Sequence, residues 1–230
     1  MSAMPAMQAI AHIRSEFPEK FGIPRQSRLV QALRAEIVLE PPYRSRDALR
    51  GLDGYSHIWL IWLFSRAVRS DWSPTVRPPR LGGNARVGVF ATRSPFRPNP
   101  IGLSCVRLDG IDFDTPDGPV LRVSGADLMD GTPILDIKPY LPHIDAVPEA
   151  RAGFAGAFAD YALTVVCPPA LQAKFPADRW PALHGVLAQD PRPSYQTDPA
   201  RVYGLRFAGF NIRFTVDGDV LTVCAIEAER

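Results

Sequence analysis

Arginines and prolines recur through one stretch of the chain, Thr75–Arg107. It holds six arginines, and the prolines and glycines between them stiffen or turn the backbone. Because proline fixes φ and lacks an N–H, Pro78-Pro79 and Pro95–Pro100 must be extended or turning backbone. Guanidinium groups are permanently charged planar forks that pair with carboxylates and phosphates. The stretch therefore predicts a preorganised anion-binding surface, and the alternative is a stiff solvated loop.

Two short β-favouring runs flank the centre of this stretch, Arg86–Ala91 and Ile101–Arg107. They predict that the segment 92–100 is held between two strands and does not hang free. Gly82-Gly83-Asn84 allows positive φ and a close approach of backbone amides to a ligand, although it fits neither the phosphate-loop nor the dinucleotide fingerprint.

Candidate acids and bases stand around two further strands. In the run Ile134–Tyr140, strict alternation predicts that Ile134, Asp136 and Lys138 share one strand face. The Asp136 carboxylate could act as a base. The structural alternative is that Asp136 and Lys138 only form an ion pair within the sheet. His57 opens the most apolar run of the chain, YSHIWLIWLF, and is a second candidate base. A histidine at a strand end more often satisfies local hydrogen bonds.

The bulk composition is that of an ordinary folded chain. Its 230 residues are 46% hydrophobic and 22% charged, with a formal net charge of +2, so any affinity for nucleic acid must come from local clusters of arginine. The three cysteines are widely spaced in apolar runs, which favours free buried thiols, and the four histidines show no metal-ligand spacing. No apolar run reaches membrane-spanning length and Met1–Gln8 lacks signal-peptide character, so the expected location is cytoplasmic.

The order of elements predicts a mainly β protein. Many short strands with few helices between them, and no glycine-rich strand-to-helix turn, argue against a doubly wound nucleotide-binding sheet and favour a β-barrel. The segment His143–Phe158 has little periodicity and reads as a linker. Beyond it, a strand at Tyr161–Cys167, helical material and three further strands, two of them joined by Asp217-Gly218-Asp219, predict a smaller α+β domain. The expected domains are 1–147 and 148–230.

Five blocks of the chain resemble the signature blocks of the TrmO (TsaA/YaeB-like) tRNA methyltransferases, in order and over nearly the whole length. They are Pro24-Arg25-Gln26, VRPPRLGGNARVGVF (76–90), ATRSPFRPNPIG (91–102), DGTPILDIKPYLP (130–142) and DPRPSY (190–195). The resemblance implies a single-sheet β-barrel that binds S-adenosylmethionine outside the Rossmann-type scaffold, with a smaller C-terminal domain, in a homodimer. The implied reaction methylates N6 of N6-threonylcarbamoyladenosine at position 37, next to the anticodon of tRNAs that read ACY codons.

The resemblance also implies the roles of individual residues. The implied cofactor site comprises Pro24, Arg25, Gln26, Ser65, Arg66, Arg93, Leu103, Asp127, Leu128, Met129 and Asp130. Candidate contacts to tRNA phosphates are Arg77, Arg80, Arg86 and Arg192, with Tyr195 and Phe96 as stacking surfaces for bases. Arg97 or Lys138 could pair with the threonyl carboxylate. The N6 nitrogen must lose a proton, for which the candidate bases are Asp136, Tyr140 and His57.

Two other functions stay open on the sequence alone. The first is a methyltransferase acting on another RNA or on a small molecule, against which the C-terminal extension weighs. The second is a non-enzymatic barrel that binds RNA or anions through its arginines. The acidic loop Asp127–Asp130 weighs against it, because a pure RNA binder needs no site for a sulfonium cofactor. The segment His143–Phe158 and the helical stretch after it match no family block, so the domain boundary and any RNA contacts there stay undefined.

Overall fold

The structure, a computed structural model, describes residues 6–82, 85–193 and 195–229, and the backbone alone of Arg80. Its strands are β1 (Ala11–Arg14), β2 (Arg34–Leu39), β3 (His57–Leu63), β4 (Thr75–Val76), β5 (Val87–Gly88), β6 (Ile101–Thr115), β7 (Gly118–Ser124), β8 (Pro133–Pro139), β9 (Thr164–Val166), β10 (Tyr203–Phe207), β11 (Phe210–Asp217) and β12 (Val220–Ala228). The α-helices are α1 (Pro142–Asp145), α2 (Pro169–Gln172) and α3 (Trp180–Ala188).

Six strands close into one antiparallel barrel, in the order β1-β2-β7-β6-β3-β8. The ring is closed between the first and last of these strands, where Ala11 lies opposite Ile134. The mainly β class and the single-sheet barrel predicted from the sequence are therefore confirmed.

The apolar run that begins near His57 forms a central barrel strand, β3. Its inward side chains alternate, with Ile58, Leu60 and Trp62 at 0%, 0% and 6% exposure. This two-residue period is what a strand with one face toward a core requires. The barrel interior is packed with side chains, so ligand sites must lie at its ends or on its outer face.

Two β-favouring runs form strands over only part of their length. The run from Leu29 to Leu39 is a strand only from Arg34, because Arg28 has a φ of 68° and the following turn carries Val30 away from the barrel. The run Arg86–Ala91 forms only the two-residue β5 and then a 3-10 turn. Its partner β4 is followed by Pro78-Pro79, which offer no N–H groups to continue the ladder.

The expected alternation along β8 is broken by a bulge. The pairing with β3 shifts between Ile61 and Trp62, so that Ile61 faces Asp136 and Trp62 faces Ile134. Ile134 is therefore fully buried in the barrel, whereas Asp136 and Lys138 are partly and largely exposed. One extra residue is enough to change which face of the sheet a side chain occupies.

The C-terminal part forms a separate four-stranded sheet, ordered β10-β11-β12-β9, against which α3 packs. The expected hairpin between β11 and β12 is present, with Asp217 opposite Val220. The segment between β8 and β9 contains α1 and a 3-10 turn, and most of its side chains are exposed. Within the described ranges, no helix is long and apolar enough to cross a membrane.

A second hydrophobic core, separate from that of the barrel, contains side chains from both parts of the chain. The connection between β1 and β2, here called the β1–β2 loop (residues 15–33), inserts Phe17, Val30 and Leu33 among the buried side chains of the C-terminal domain. The rings of Phe17 and Phe207 pack at an angle of 51°, with centroids 5.1 Å apart. Packing against the C-terminal domain thus holds the β1–β2 loop in place.

Candidate functional site

A cavity of about 1000 Å³ opens at the end of the barrel where β3 finishes and β6 begins. Its walls come from the β1–β2 loop, the turn after β3, the segment 92–103 and the loop that follows β7. Trp62, Phe64 and Leu103 provide apolar surface, and the rings of Trp62 and Phe64 lie 4.2 Å apart at their centroids. A cavity of this size with apolar walls is the usual shape of a cofactor site.

The charge of the cavity is strongly one-sided. Six cationic side chains line it: Lys20, Arg25, Arg66, Arg69, Arg93 and Arg97. Asp127 is the one acidic side chain among the described residues of the lining. Because clefts lined by one sign of charge concentrate ligands of the other sign, the site favours a polyanionic partner.

A side-chain hydrogen bond joins the β1–β2 loop to the arginine-rich stretch. Arg93 Nη1 donates to Gln26 Oε1, and Gln26 Nε2 donates to the carbonyl of Arg25. On the same stretch, Arg97 Nη1 donates to the Thr92 carbonyl at 3.1 Å. The predicted cofactor residues Gln26 and Arg93 are therefore in direct contact, although 67 positions separate them.

Two cationic side chains lie close to the ring of Phe96, which lines the cavity. The Arg69 guanidinium carbon is 4.0 Å from the centroid of its ring, and Lys20 Nζ is 5.8 Å from it. Such cation–π contacts hold the ring in place. They also make a composite surface, part aromatic and part cationic, beside the cavity.

A buried hydrogen-bond chain ends at Asp127. Trp62 Nε1 donates to Ser104 Oγ at 2.9 Å, and Ser104 Oγ donates to Asp127 Oδ1 at 2.6 Å. Burial raises the pKa of Asp127 to about 6, against the lowering effect of this hydrogen bond, of backbone N–H groups including that of Ser27, and of the Arg93 charge. Asp127 is nevertheless one of the residues that line the cavity.

The structure brings most of the predicted cofactor residues to this cavity. Nine line it: Pro24, Arg25, Gln26, Ser65, Arg66, Arg93, Leu103, Asp127 and Met129. The other two do not. Leu128 is 1% exposed and packs inside the barrel, and Asp130 is exposed and accepts the Ser15 N–H at 3.0 Å.

The three predicted bases lie away from the cavity, on the outer face of β3 and β8. Asp136 forms an ion pair with Lys138 at 2.7 Å, which is the structural alternative weighed above. His57 and Tyr140 pack edge to face, with ring centroids 6.2 Å apart. The pKa of His57 is lowered by burial and by the charges of two neighbouring arginines. None of these three side chains is among the described residues that line the cavity.

The predicted RNA contacts divide between the cavity and other surfaces. Phe96 and Arg97 line the cavity. Arg77 and Arg86 are exposed beside β4 and β5, and Tyr195 is 65% exposed on the C-terminal domain. The side chain of Arg80, together with Gly83, Asn84 and Ser194, lies outside the described residues.

Arg192 has a different environment from the expected one. Its side chain is 11% exposed, and its Nε donates to Asp190 Oδ1 at 3.0 Å. Tyr161 donates to the same carboxylate at 2.8 Å. The guanidinium is therefore largely buried in contacts within the C-terminal domain.

Sequence reasoning missed several residues of the site. Lys20 and Arg69 lie outside the arginine-rich stretch, and only the fold brings them to Phe96. Ser104 and Trp62 lie in strands whose apolar pattern indicates a core position. Nothing in that pattern indicates that they belong to a buried hydrogen-bond chain. Outside the cavity lining, Trp72 and Phe90 are 52% and 74% exposed, with ring centroids 6.2 Å apart.

The lining of the cavity suits S-adenosylmethionine. Arginines can pair with the carboxylate of its methionyl part, and Asp127 can accept from a hydroxyl or an amino group. Apolar and aromatic walls can enclose the adenine ring. Across the described residues, no group of three or more His, Cys, Asp or Glu side chains could hold a metal ion.

Comparisons with known proteins agree with this geometry. Residues 12–146 match the family model of the tRNA-methyltransferase O N-terminal domain, and residues 170–229 match that of the TrmO C-terminal domain. A tRNA (adenine(37)-N6)-methyltransferase of Escherichia coli is 43% identical over 96% of this chain and 97% of its own length. A Pseudomonas aeruginosa protein, 44% identical over 91% of each chain, carries the provisional name of an S-adenosylmethionine-dependent methyltransferase.

Solved structures agree as well. A crystal structure of TrmO from Pseudomonas aeruginosa superimposes with a TM-score of 0.78 at 37% identity, covering 99% of both chains. The two family models together span both parts of the molecule, barrel and C-terminal sheet. The chain belongs to the tRNA-methyltransferase O family.

Proposed function

We propose that the chain transfers a methyl group from S-adenosylmethionine to N6 of N6-threonylcarbamoyladenosine at position 37 of tRNAs that read ACY codons. The observation that carries the proposal is the cavity. Four separate segments, 24–26, 65–66, 93–103 and 127–129, place nine predicted cofactor residues around one space. The printed activity of the Escherichia coli relative supports the choice of reaction.

The chain's own residues supply binding and orientation. S-adenosylmethionine, when bound, supplies a methyl group already activated on a sulfonium, so the protein mainly has to align the acceptor nitrogen and exclude water. Arg93 and Gln26 hold each other at the mouth of the cavity and can fix the cofactor there. Arg97 lines the cavity and is the proposed partner of the threonyl carboxylate, whereas Lys138 is paired with Asp136 outside it.

An adenine next to an anticodon must leave its stack to enter the cavity. The surface formed by Phe96 and Arg69 at the rim offers a flat face for such a base. The C-terminal domain and the exposed Arg77, Arg86 and Tyr195 are proposed to contact other parts of the tRNA. A cytoplasmic homodimer is part of the same proposal, on the strength of the family resemblance. Analytical ultracentrifugation giving about twice the chain mass of 25.3 kDa is expected.

The test is methyl transfer from labelled S-adenosylmethionine to tRNA taken from cells lacking this protein, with and without prior threonylcarbamoylation. Arg93→Ala removes the contact to Gln26, so we expect it to lose cofactor binding and activity. Arg50→Ala is the matched control, because Arg50 is an exposed arginine paired with Asp47, outside the cavity lining.

The outcomes separate the alternatives. Label found only on threonylcarbamoylated tRNA, and lost in Arg93→Ala but not in Arg50→Ala, is the expected result. Label on unmodified tRNA, or none on tRNA despite calorimetric binding of the cofactor, points to a methyltransferase with another substrate. No binding of the cofactor points to a non-enzymatic RNA-binding or anion-binding barrel.

A further inference from the structure

The proposed reaction needs a group that takes a proton. As the N6 lone pair forms a bond to the methyl carbon, the carbon–sulfur bond breaks and leaves its electron pair on sulfur. The nitrogen then carries a positive charge until its proton leaves. A base close to N6 removes that charge in or just after the transition state.

The described lining of the cavity offers one such group. Its lysine and arginine side chains are protonated, and its serine and threonine hydroxyls are too weakly basic. Histidine, tyrosine, cysteine and glutamate are absent from the described residues of that lining. Asp127 is left. The predicted bases Asp136, Tyr140 and His57 are all outside it.

We propose that Asp127 is the catalytic base, which accepts the N6 proton of the substrate adenine and passes it to solvent through the open side of the cavity. This assignment rests on the proposed function. It differs from the role that the resemblance implies, in which Asp127 only binds the cofactor.

The surroundings of Asp127 fit this role. From β6, Ser104 Oγ donates to Oδ1 at 2.6 Å, and Trp62 on β3 fixes that hydroxyl at 2.9 Å. From the β1–β2 loop, the Ser27 backbone N–H donates to the carboxylate. The charged group facing it is Arg93, from the segment between β5 and β6.

Burial gives this carboxylate more basicity than an ordinary one. With its pKa raised to about 6, Asp127 is mostly ionised near pH 7.5 but holds a proton better than a solvated aspartate. A base with a pKa near the working pH combines the correct ionisation with a useful driving force for proton transfer.

The experiment compares wild type with Asp127→Asn in single turnovers on threonylcarbamoylated tRNA, from pH 5 to 8.5 at saturating S-adenosylmethionine. For wild type we expect the rate to fall below an apparent pKa near 6. For Asp127→Asn we expect a rate about 100-fold lower at pH 7.5. Calorimetry should then give a cofactor Kd for the variant within about threefold of wild type, because the carboxamide can still accept from a ligand.

Ser104→Ala gives a second and independent readout. It removes the donor that stabilises the charged carboxylate, so the fall in rate should move to higher pH. Ser104→Thr keeps the hydroxyl and should restore the wild-type pH profile. A purely structural effect of either substitution would change the rate without moving the profile.

Each outcome decides the assignment. A cofactor Kd at least tenfold weaker in Asp127→Asn, with the single-turnover rate at saturating cofactor unchanged, would make Asp127 a cofactor contact and overturn the proposal. So would a profile that stays in place in Ser104→Ala. Wild type that binds S-adenosylmethionine but transfers no methyl group to this tRNA would instead refute the proposed function, and the assignment of the base with it.

Discussion

Gly22 of the β1–β2 loop lies directly against Leu205 of β10. A Cβ placed on Gly22 would come within 2.1 Å of Leu205 Cδ1, so the loop and the C-terminal sheet touch without space for a methyl group. The neighbours of Gly22 in the loop, Lys20 before it and Ile23 and Pro24 after it, line the cavity. The C-terminal domain therefore braces one wall of the proposed cofactor site.

This contact predicts that Gly22→Ala weakens both stability and cofactor binding. Gly22 has a φ of 90°, which an L side chain adopts only at a cost, and the new methyl group would also displace Leu205. The two effects together should lower the free energy of unfolding by about 2–4 kcal/mol. Chemical denaturation measures the loss, and calorimetry should show weaker binding of S-adenosylmethionine because the 24–26 wall shifts.

Gly51→Ala is the control for the backbone part of this effect. Gly51 has a φ of 82°, but nothing lies within 4 Å of the place a Cβ would take. We expect it to cost about 1–2 kcal/mol and to leave cofactor binding unchanged. Equal losses in the two variants would show that the packing against Leu205 is unimportant.

Site residues could be predicted from the sequence where they lie in one continuous segment. Pro24-Arg25-Gln26 and the arginine-rich stretch could be recognised because each block is continuous. Lys20 and Arg69 could not, since only the folded chain brings them to Phe96. The face of Asp136 depends on a bulge in β8, and alternation along a strand does not reveal where an extra residue falls.

Arg192 shows a second limit of reading residue types. A proline-flanked arginine predicted a phosphate contact, but burial of the Asp190–Arg192 pair is a property of the whole domain.

We predict that Arg192→Ala leaves the Asp190 carboxylate buried without its cation. The C-terminal domain should lose about 3–5 kcal/mol of stability, measured by denaturant unfolding. Arg206→Ala removes an arginine from an exposed pair with Glu229 and should have little effect. A stable Arg192→Ala protein with weaker tRNA binding would restore the phosphate role.

The three free cysteines should differ in reactivity. Cys224 is exposed, whereas Cys105 is 5% exposed and its thiol pKa is raised by burial. Burial also raises the pKa of the Cys167 thiol. Because the thiolate is the species that reacts, iodoacetamide at pH 8 should modify Cys224 first and Cys105 last. Peptide mass spectrometry over a time course gives the order. Early labelling of Cys105 would mean that the outer face of β6 is open in solution.

The raised pKa of Asp127 also makes a prediction about stability. Its pKa is about 6 in the folded protein against 3.8 as its ordinary value, so the folded state binds this proton more tightly. Stability should therefore fall as the pH rises from about 4 to 6, and the loss persists above that range. The pKa difference of about 2 units corresponds to up to about 3 kcal/mol of stability.

Asp127→Asn removes the buried charge and should be more stable than wild type at pH 7.5. This stability advantage should fade toward pH 4. Denaturant unfolding of both proteins at pH 4, 5, 6 and 7.5 measures this. A stability difference between the two proteins that is the same at all four pH values would mean that the Asp127 carboxylate is not the group that burial perturbs. A stability advantage of Asp127→Asn that grows with pH would show that the buried, ionised carboxylate lowers the stability of the fold.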